Sequence, residues 1–299
     1  MTTERPLPYI GISGVNNLKH NTDPENTSMQ YWLMDQFTYA GSENRQNQPN
    51  QRQILLGVKA VHKTQYLDIE NKYGHEWYPV GEQEFATALD EGGSRALGSR
   101  ALKAAQIYFD PEFVADSDYR NKFIERICEL GKSWINTLQF DMLPWQQNDA
   151  MLPFTEEVKQ HTNHTIILQA HGESMQQLGA ENVARQLGRY AHTLDYVLFD
   201  ASHGKGVRLD PNALRPFLDK VYESKQLTSV GFGVAGGLSA DVVRNELPAL
   251  VNTYPDLSWD TEGKVHGIHE DGTLGFDPNA AKDYLEASSN ILSALPRVV

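Results

Sequence analysis

The side chains of this sequence best placed to do chemistry recur at matching points of a repeated pattern. Tyr196-Val197-Leu198-Phe199-Asp200 is a short apolar run that ends on a carboxylate, and His203-Gly204-Lys205-Gly206 follows before Asp210-Pro211. The pattern returns as Ser229–Ala235 followed by Gly236-Gly237, and again as Leu257-Ser258-Trp259-Asp260 followed by Glu262-Gly263-Lys264. A carboxylate at the end of an apolar strand can pass a proton to or from a bound substrate. Paired glycines let the backbone approach an anion closely, although a tight turn needs them equally.

Chemistry of this kind has to be positioned by the elements around it. Each copy reads as strand, loop and helix start, with Asp210-Pro211 a cap and first-turn signal. Serial units of this kind, with functional groups at the strand C-termini, are the grammar of a (β/α)8 barrel. Eight strands are expected: 8–13, 54–61, 104–109, 135–140, 165–170, 196–200, 229–235 and 257–260. Helices are expected over 28–40, 82–89, 118–130, 155–161, 180–191, 211–223, 239–250 and 278–294. The long segment 62–80, with Trp77 and Tyr78, reads as an insertion after the second strand that could cover a ligand or pack on the barrel.

Composition narrows the field. A chain of 299 residues with 40% hydrophobic content can fill one large core, so a single barrel domain over 1–299 is expected. The apolar runs fall short of a membrane span, and a net charge of -13 argues against broad attraction to nucleic acid. Cys128 is the single cysteine, so no intrachain disulfide can form. No zinc-type Cys/His spacing or Walker-type loop occurs, and no metal or cofactor is expected. Met1–Pro6 lacks a basic segment leading into an apolar one, which leaves a cytoplasmic location as the default and a small molecule as the expected partner.

The last third of the chain resembles the phosphoribosylanthranilate isomerases, enzymes of tryptophan biosynthesis built on this barrel. Their sixth strand ends Leu-Leu-Asp before a Gly-x-Gly loop and Phe-Asp, to which Leu198-Phe199-Asp200, Gly204-Lys205-Gly206 and Leu209-Asp210 are similar. Their seventh ends Ser-Gly-Gly-Leu, similar to Ala235-Gly236-Gly237-Leu238, and Asp260–Val265 is a looser match to the end of their eighth. The resemblance implies an Amadori rearrangement of a sugar phosphate. In it Asp200 is the general acid, and Gly236, Gly237, Gly263 and Lys264, helped by Lys205, cradle the phosphate. Asp260 then orients the substrate, or else forms a salt bridge with Lys59; Asp200 for its part could simply cap its loop.

Two departures from the family matter. The family's first strand ends Lys-Ile-Cys-Gly with the cysteine as base, whereas this chain has Gly11-Ile12-Ser13-Gly14. An alcohol is a poor base unless another residue takes its proton, so the base must come from elsewhere, His203 being one candidate. Glu262 stands where the family has a small neutral residue, and a carboxylate beside a phosphate opposes binding. Lys59 lies in the region that meets the anthranilate carboxylate in the family. It could equally be a Schiff-base nucleophile in an aldolase, and a barrel that binds a ligand without catalysis is the remaining alternative.

Overall fold

The computed structural model describes residues 4–14, 52–61, 101–108, 116–131, 135–141, 148–200, 202, 206–268, 272 and 274–295. The expected helices at 28–40 and 82–89, the insertion 62–80, His203 and Lys205 lie outside these described residues. Eight parallel strands close into a barrel in chain order: β1 Tyr9–Ser13, β2 Gln53–Val61, β3 Ala101–Tyr108, β4 Thr137–Asp141, β5 Thr165–His171, β6 Tyr196–Asp200, β7 Gly231–Ala235 and β8 Ser258–Thr261. The circle is completed by β8 on β1, with Ile10 opposite Trp259 and Gly11 opposite Asp260. The expected (β/α)8 architecture is the observed one.

Strand alternation sorts the side chains into two apolar layers. Ile10, Ile12, Leu56, Val58, Ala105, Ile107, Leu138, Phe140, Ile166, Leu168, Val197, Phe199, Phe232, Val234 and Trp259 face the helices in one continuous core. The residues between them, Tyr9, Leu55, Leu102, Ala104, Ile167, Tyr196, Leu198 and Ala235, form a second cluster inside the barrel. The Tyr9 and Tyr196 rings meet edge to face at 5.2 Å in that inner cluster, and Gly231 leaves the space that the Tyr196 ring fills. The barrel is therefore apolar in its lower interior, and the same alternation carries polar residues to the opposite, C-terminal end.

Several boundaries differ from the sequence expectation for physical reasons. β3 begins at Ala101 rather than Ala104, because the half-buried Lys103 is accommodated within the strand; β4 begins at Thr137 rather than Ile135. The helix expected from Thr155 starts at Asn148 and runs to His161, with Pro153 inside it. Helix Gly172–Tyr190 is kinked at Gly179 (φ 71°, ψ 163°), and only the part after that kink was expected. The segment 239–250 is two short helices, Ala240–Asn245 and Pro248–Val251, because Pro248 cannot continue the first. A two-stranded hairpin, β9 His266–Ile268 with β10 Leu274–Phe276, lies between β8 and the last helix and was not expected. Asp210, Ser239 and Asp277 cap the helices that follow β6, β7 and the hairpin by accepting backbone N–H groups.

Candidate active site

Ser13, Lys59, Gln106, Gln139, Gln169, Asp200 and Asp260 occupy the inward phase of their strands in the C-terminal half of the barrel. None of them is more than 8% exposed. Burying so many polar groups above an apolar floor is costly unless they hold one another or a ligand. Part of the layer is self-consistent. The Ser13 hydroxyl donates to Asp260 Oδ2 at 2.7 Å. Asp200 accepts the Ser202 backbone N–H at 2.8 Å and the Gln169 side-chain amide at 3.1 Å. Gln139 Nε2 lies 3.5 Å from Gln169 Oε1, so the glutamines lead to Asp200 as a chain of donors.

Glycines make room for this layer. A Cβ on Gly11 would lie 2.6 Å from Asp260 Oδ1, and one on Gly57 would lie 2.9 Å from the Ser13 hydroxyl and 3.0 Å from Gln106 Cδ. The small residues of β1 and β2 thus give Asp260, Ser13 and Gln106 their positions. Asp200 and Asp260 are in register with Ala235 between them, which separates their Cα atoms by roughly 10 Å at the usual strand spacing. The last helix, Pro278–Ala294, anchors the two strands that carry the Ser13–Asp260 pair. Its Tyr284 hydroxyl donates to the Gly11 carbonyl at 3.1 Å, and the Trp259 indole donates to Ser288 at 3.0 Å. Beneath the site, burial and then the charge of Asp260 hold the Tyr9 phenol well above its usual range.

The sequence-predicted residues fall into two groups. Ser13, Lys59, Asp200 and Asp260 are brought together in the barrel mouth, with Gly236 beside them. Gly236 (φ 98°) sits where a Cβ would meet Asp200 Oδ1 at 2.5 Å, and Gly237 (φ 61°) where one would meet the Val207 carbonyl at 2.2 Å. Both glycines are therefore required by the packing of the β7 turn on the β6 loop. Gly263 and Lys264 lie in an exposed single turn after β8, with the Lys264 chain passing over Gly206. Arg208 on the β6 loop binds Asp241 at 2.8 Å and Glu246 at 2.9 Å.

Contacts not foreseen complete the rim. The buried Lys59 ammonium pairs with Glu262, whose carboxylate is partly exposed, and Lys59 also lies 5.8 Å from the Tyr108 ring centroid. His266 bridges the ends of β1 and β8, its Nε2 3.0 Å from the Gly14 carbonyl and its Nδ1 2.8 Å from that of Glu262. Carbonyls only accept, so both contacts are hydrogen bonds when the ring is protonated. Burial acts against that form and lowers the His266 pKa, while the two carbonyls oppose the shift. Thr261 donates to the Leu238 carbonyl at 2.6 Å and joins the β7 and β8 loops. Among the described residues no group of three or more His, Cys, Asp and Glu side chains is arranged to hold a metal ion, and no helix is long and apolar enough to cross a membrane.

No protein-family model and no curated protein matches the sequence. Among solved structures, the chain is similar to phosphoribosyl anthranilate isomerase from Thermococcus kodakaraensis, with 12% identity, 95% of this chain and 100% of that one covered, and a TM-score of 0.47. It is similar to a structure titled native KDPGal, at 11% identity over 98% and 100% of the two chains with a TM-score of 0.47. It is also similar to the carboxyl transferase domain of Rhizobium etli pyruvate carboxylase, at 11% identity with a TM-score of 0.48, where 99% of this chain spans 50% of the other. The likeness is one of chain path, and the site is read from this chain's own residues.

Proposed function

We propose that this barrel is an enzyme that isomerises a sugar-like substrate by moving a proton between adjacent carbons, as in an aldose–ketose or Amadori rearrangement. The observation that carries the reading is the hydrogen bond from Ser13 to Asp260. The sequence left a hydroxyl where a base is needed; a carboxylate 2.7 Å away supplies the missing acceptor. In this reading the Ser13–Asp260 pair takes the C2 proton. Asp200 gives a proton to the ring oxygen as the ring opens. A carboxyl group has several acceptor positions, so Asp200 can carry that proton and still accept from Ser202 and Gln169. The resulting enol or enaminol takes a proton at C1 and gives up that of its C2 hydroxyl; Asp260 releases the C2 proton to solvent and Asp200 regains one from it, so substrate and product are isomers.

The alternatives carry less support. A Schiff-base mechanism needs the free amine of Lys59, whereas an ammonium paired with Glu262 has no lone pair to attack a carbonyl. Phosphoribosylanthranilate is the first substrate to test, by its loss of fluorescence. Turnover by the wild type that survives in Ser13→Cys and disappears in Asp200→Asn supports the reading. Covalent trapping of Lys59 by borohydride with a carbonyl substrate would transfer the site to the aldolase class. If phosphoribosylanthranilate is inert, unphosphorylated N-ribosyl amines are the second set.

A further inference from the structure

We propose that Gln106, Gln139 and Gln169 form the subsite for an uncharged, polyhydroxylated part of the substrate, a sugar chain or polyol rather than a phosphate or carboxylate. The inference rests on the isomerase reading for the identity of the site and names the substrate class that fills it. Its basis is the direction of the amides. The Gln169 NH2 donates to Asp200 Oδ2, and this turns the Gln169 carbonyl oxygen to Gln139. Gln139 must then present its own NH2 to Gln169. This leaves Gln139 Oε1 buried, on a side chain 1% exposed, with no hydrogen-bond partner among the described residues.

Gln106 adds a second unpartnered oxygen. It stands opposite Gln139 in the β3–β4 register, is 2% exposed, and its Oε1 also has no partner among the described residues. Two buried acceptor oxygens on neighbouring strands, whose backbones run about 4.8 Å apart, call for a ligand that brings donors. Sugar hydroxyls donate to amide oxygens and accept from amide N–H groups, so they match both ends of a glutamine. A carboxylate brings only acceptors, and a phosphate brings mostly acceptors with a net negative charge, so either would set lone pair against lone pair at these oxygens. Lys59, opposite Gln106 in register, already carries the carboxylate of Glu262.

Saturation-transfer NMR on the full chain, with ribitol, arabinitol and ribose as probes, tests the subsite without requiring turnover. At least one probe is expected to receive saturation from the wild type and to keep it when inorganic phosphate is added. Gln106→Met and Gln139→Met should each weaken that binding about tenfold, the usual loss for one hydrogen bond to an uncharged buried group. Gln139→Met also interrupts the amide chain to Asp200; should it fail to fold, Gln106→Met, which lies outside that chain, decides the matter. The proposal is overturned if no probe is contacted, if phosphate displaces the probes, or if binding is unchanged in the Met variants. A barrel that binds polyols through these glutamines but moves no proton would overturn only the isomerase reading. Proton movement on phosphorylated substrates with KM unchanged in Gln106→Met would overturn only the subsite.

Discussion

Gly11→Ala displaces the Asp260 carboxylate while leaving every other site residue chemically intact. The added methyl would stand 2.6 Å from Asp260 Oδ1, 2.8 Å from Cγ and 3.1 Å from Cβ, so the nearest oxygen is 0.8 Å inside the 3.4 Å at which ordinary contact begins. Turning the carboxylate cannot relieve this, because the Asp260 Cβ is crowded too. A shift of that size moves Oδ2 out of its 2.7 Å hydrogen bond with Ser13. Overpacking of this kind costs about 1–3 kcal/mol, or roughly 2–4 °C in Tm for each kcal/mol in a domain of this size. Misplacing a catalytic group by close to 1 Å costs about 100-fold in rate. Gly233→Ala is the control: its methyl would crowd Leu198 Cδ1 at 3.1 Å and Ser258 Cβ at 3.2 Å in the same interior, away from the carboxylates. Calorimetry should find both variants destabilised, and solvent proton exchange at substrate C2 should fall about 100-fold only in Gly11→Ala. Exchange within twofold of wild type in Gly11→Ala, or an equal loss in Gly233→Ala, would refute the reasoning.

The remaining predictions concern groups around the site. Because the buried Tyr9 hydroxyl has no hydrogen-bond partner among the described residues, Tyr9→Phe should leave stability unchanged or raise it by up to about 1 kcal/mol in urea unfolding; a clear loss would contradict this. His266 has a folded pKa below its ordinary 6.5, burial being the main cause, so above 6.5 neither state binds the proton and the group contributes no pH dependence. As pH falls below 6.5 the unfolded chain takes up the proton first, and stability is lost until the folded pKa is passed. The stability of wild type relative to His266→Gln should therefore be flat above about pH 6.5 and decline as the pH falls below it, and an increase there would contradict this. Burial, with Glu125, pushes the Cys128 thiol from 9.0 up to about 11. Iodoacetamide should then label the native protein about 100-fold more slowly than free cysteine near neutral pH, and comparable rates would show the thiol to be less enclosed than this.

Much of the barrel was legible because strand, turn and cap signals agree in its second half. β6 and the helix after it were readable to the residue, the latter from Asp210-Pro211. The hairpin after β8 was missed although Asp271-Gly272 is a recognised turn signal, because its strands are three residues each. The carboxylates were legible as lone charges at strand ends. The glutamines were not. Gln106, Gln139 and Gln169 interrupt apolar strands as single neutral residues, and only the period-two phase set by neighbours such as Ala104 and Ile167 sends them inward. Applying that phase to every strand would have found them. The Lys59–Glu262 and Ser13–Asp260 partnerships join residues 203 and 247 positions apart, and which cation meets which carboxylate is set by barrel closure, which no local pattern encodes.

The central claim, that Asp200 and Asp260 move a proton on a substrate held in this mouth, is tested most directly by deuterium incorporation. Wild type, Asp200→Asn and Asp260→Asn are incubated in D2O with aldoses, ketoses and N-ribosyl amines, each with and without phosphate, and mass spectrometry reads carbon-bound label at C1 and C2. Wild type should incorporate deuterium into at least one compound, and each Asn variant should slow incorporation about 100- to 10,000-fold, the usual range for losing a general acid or base. No incorporation by wild type into any of them, or label that enters undiminished in both variants, would contradict the account.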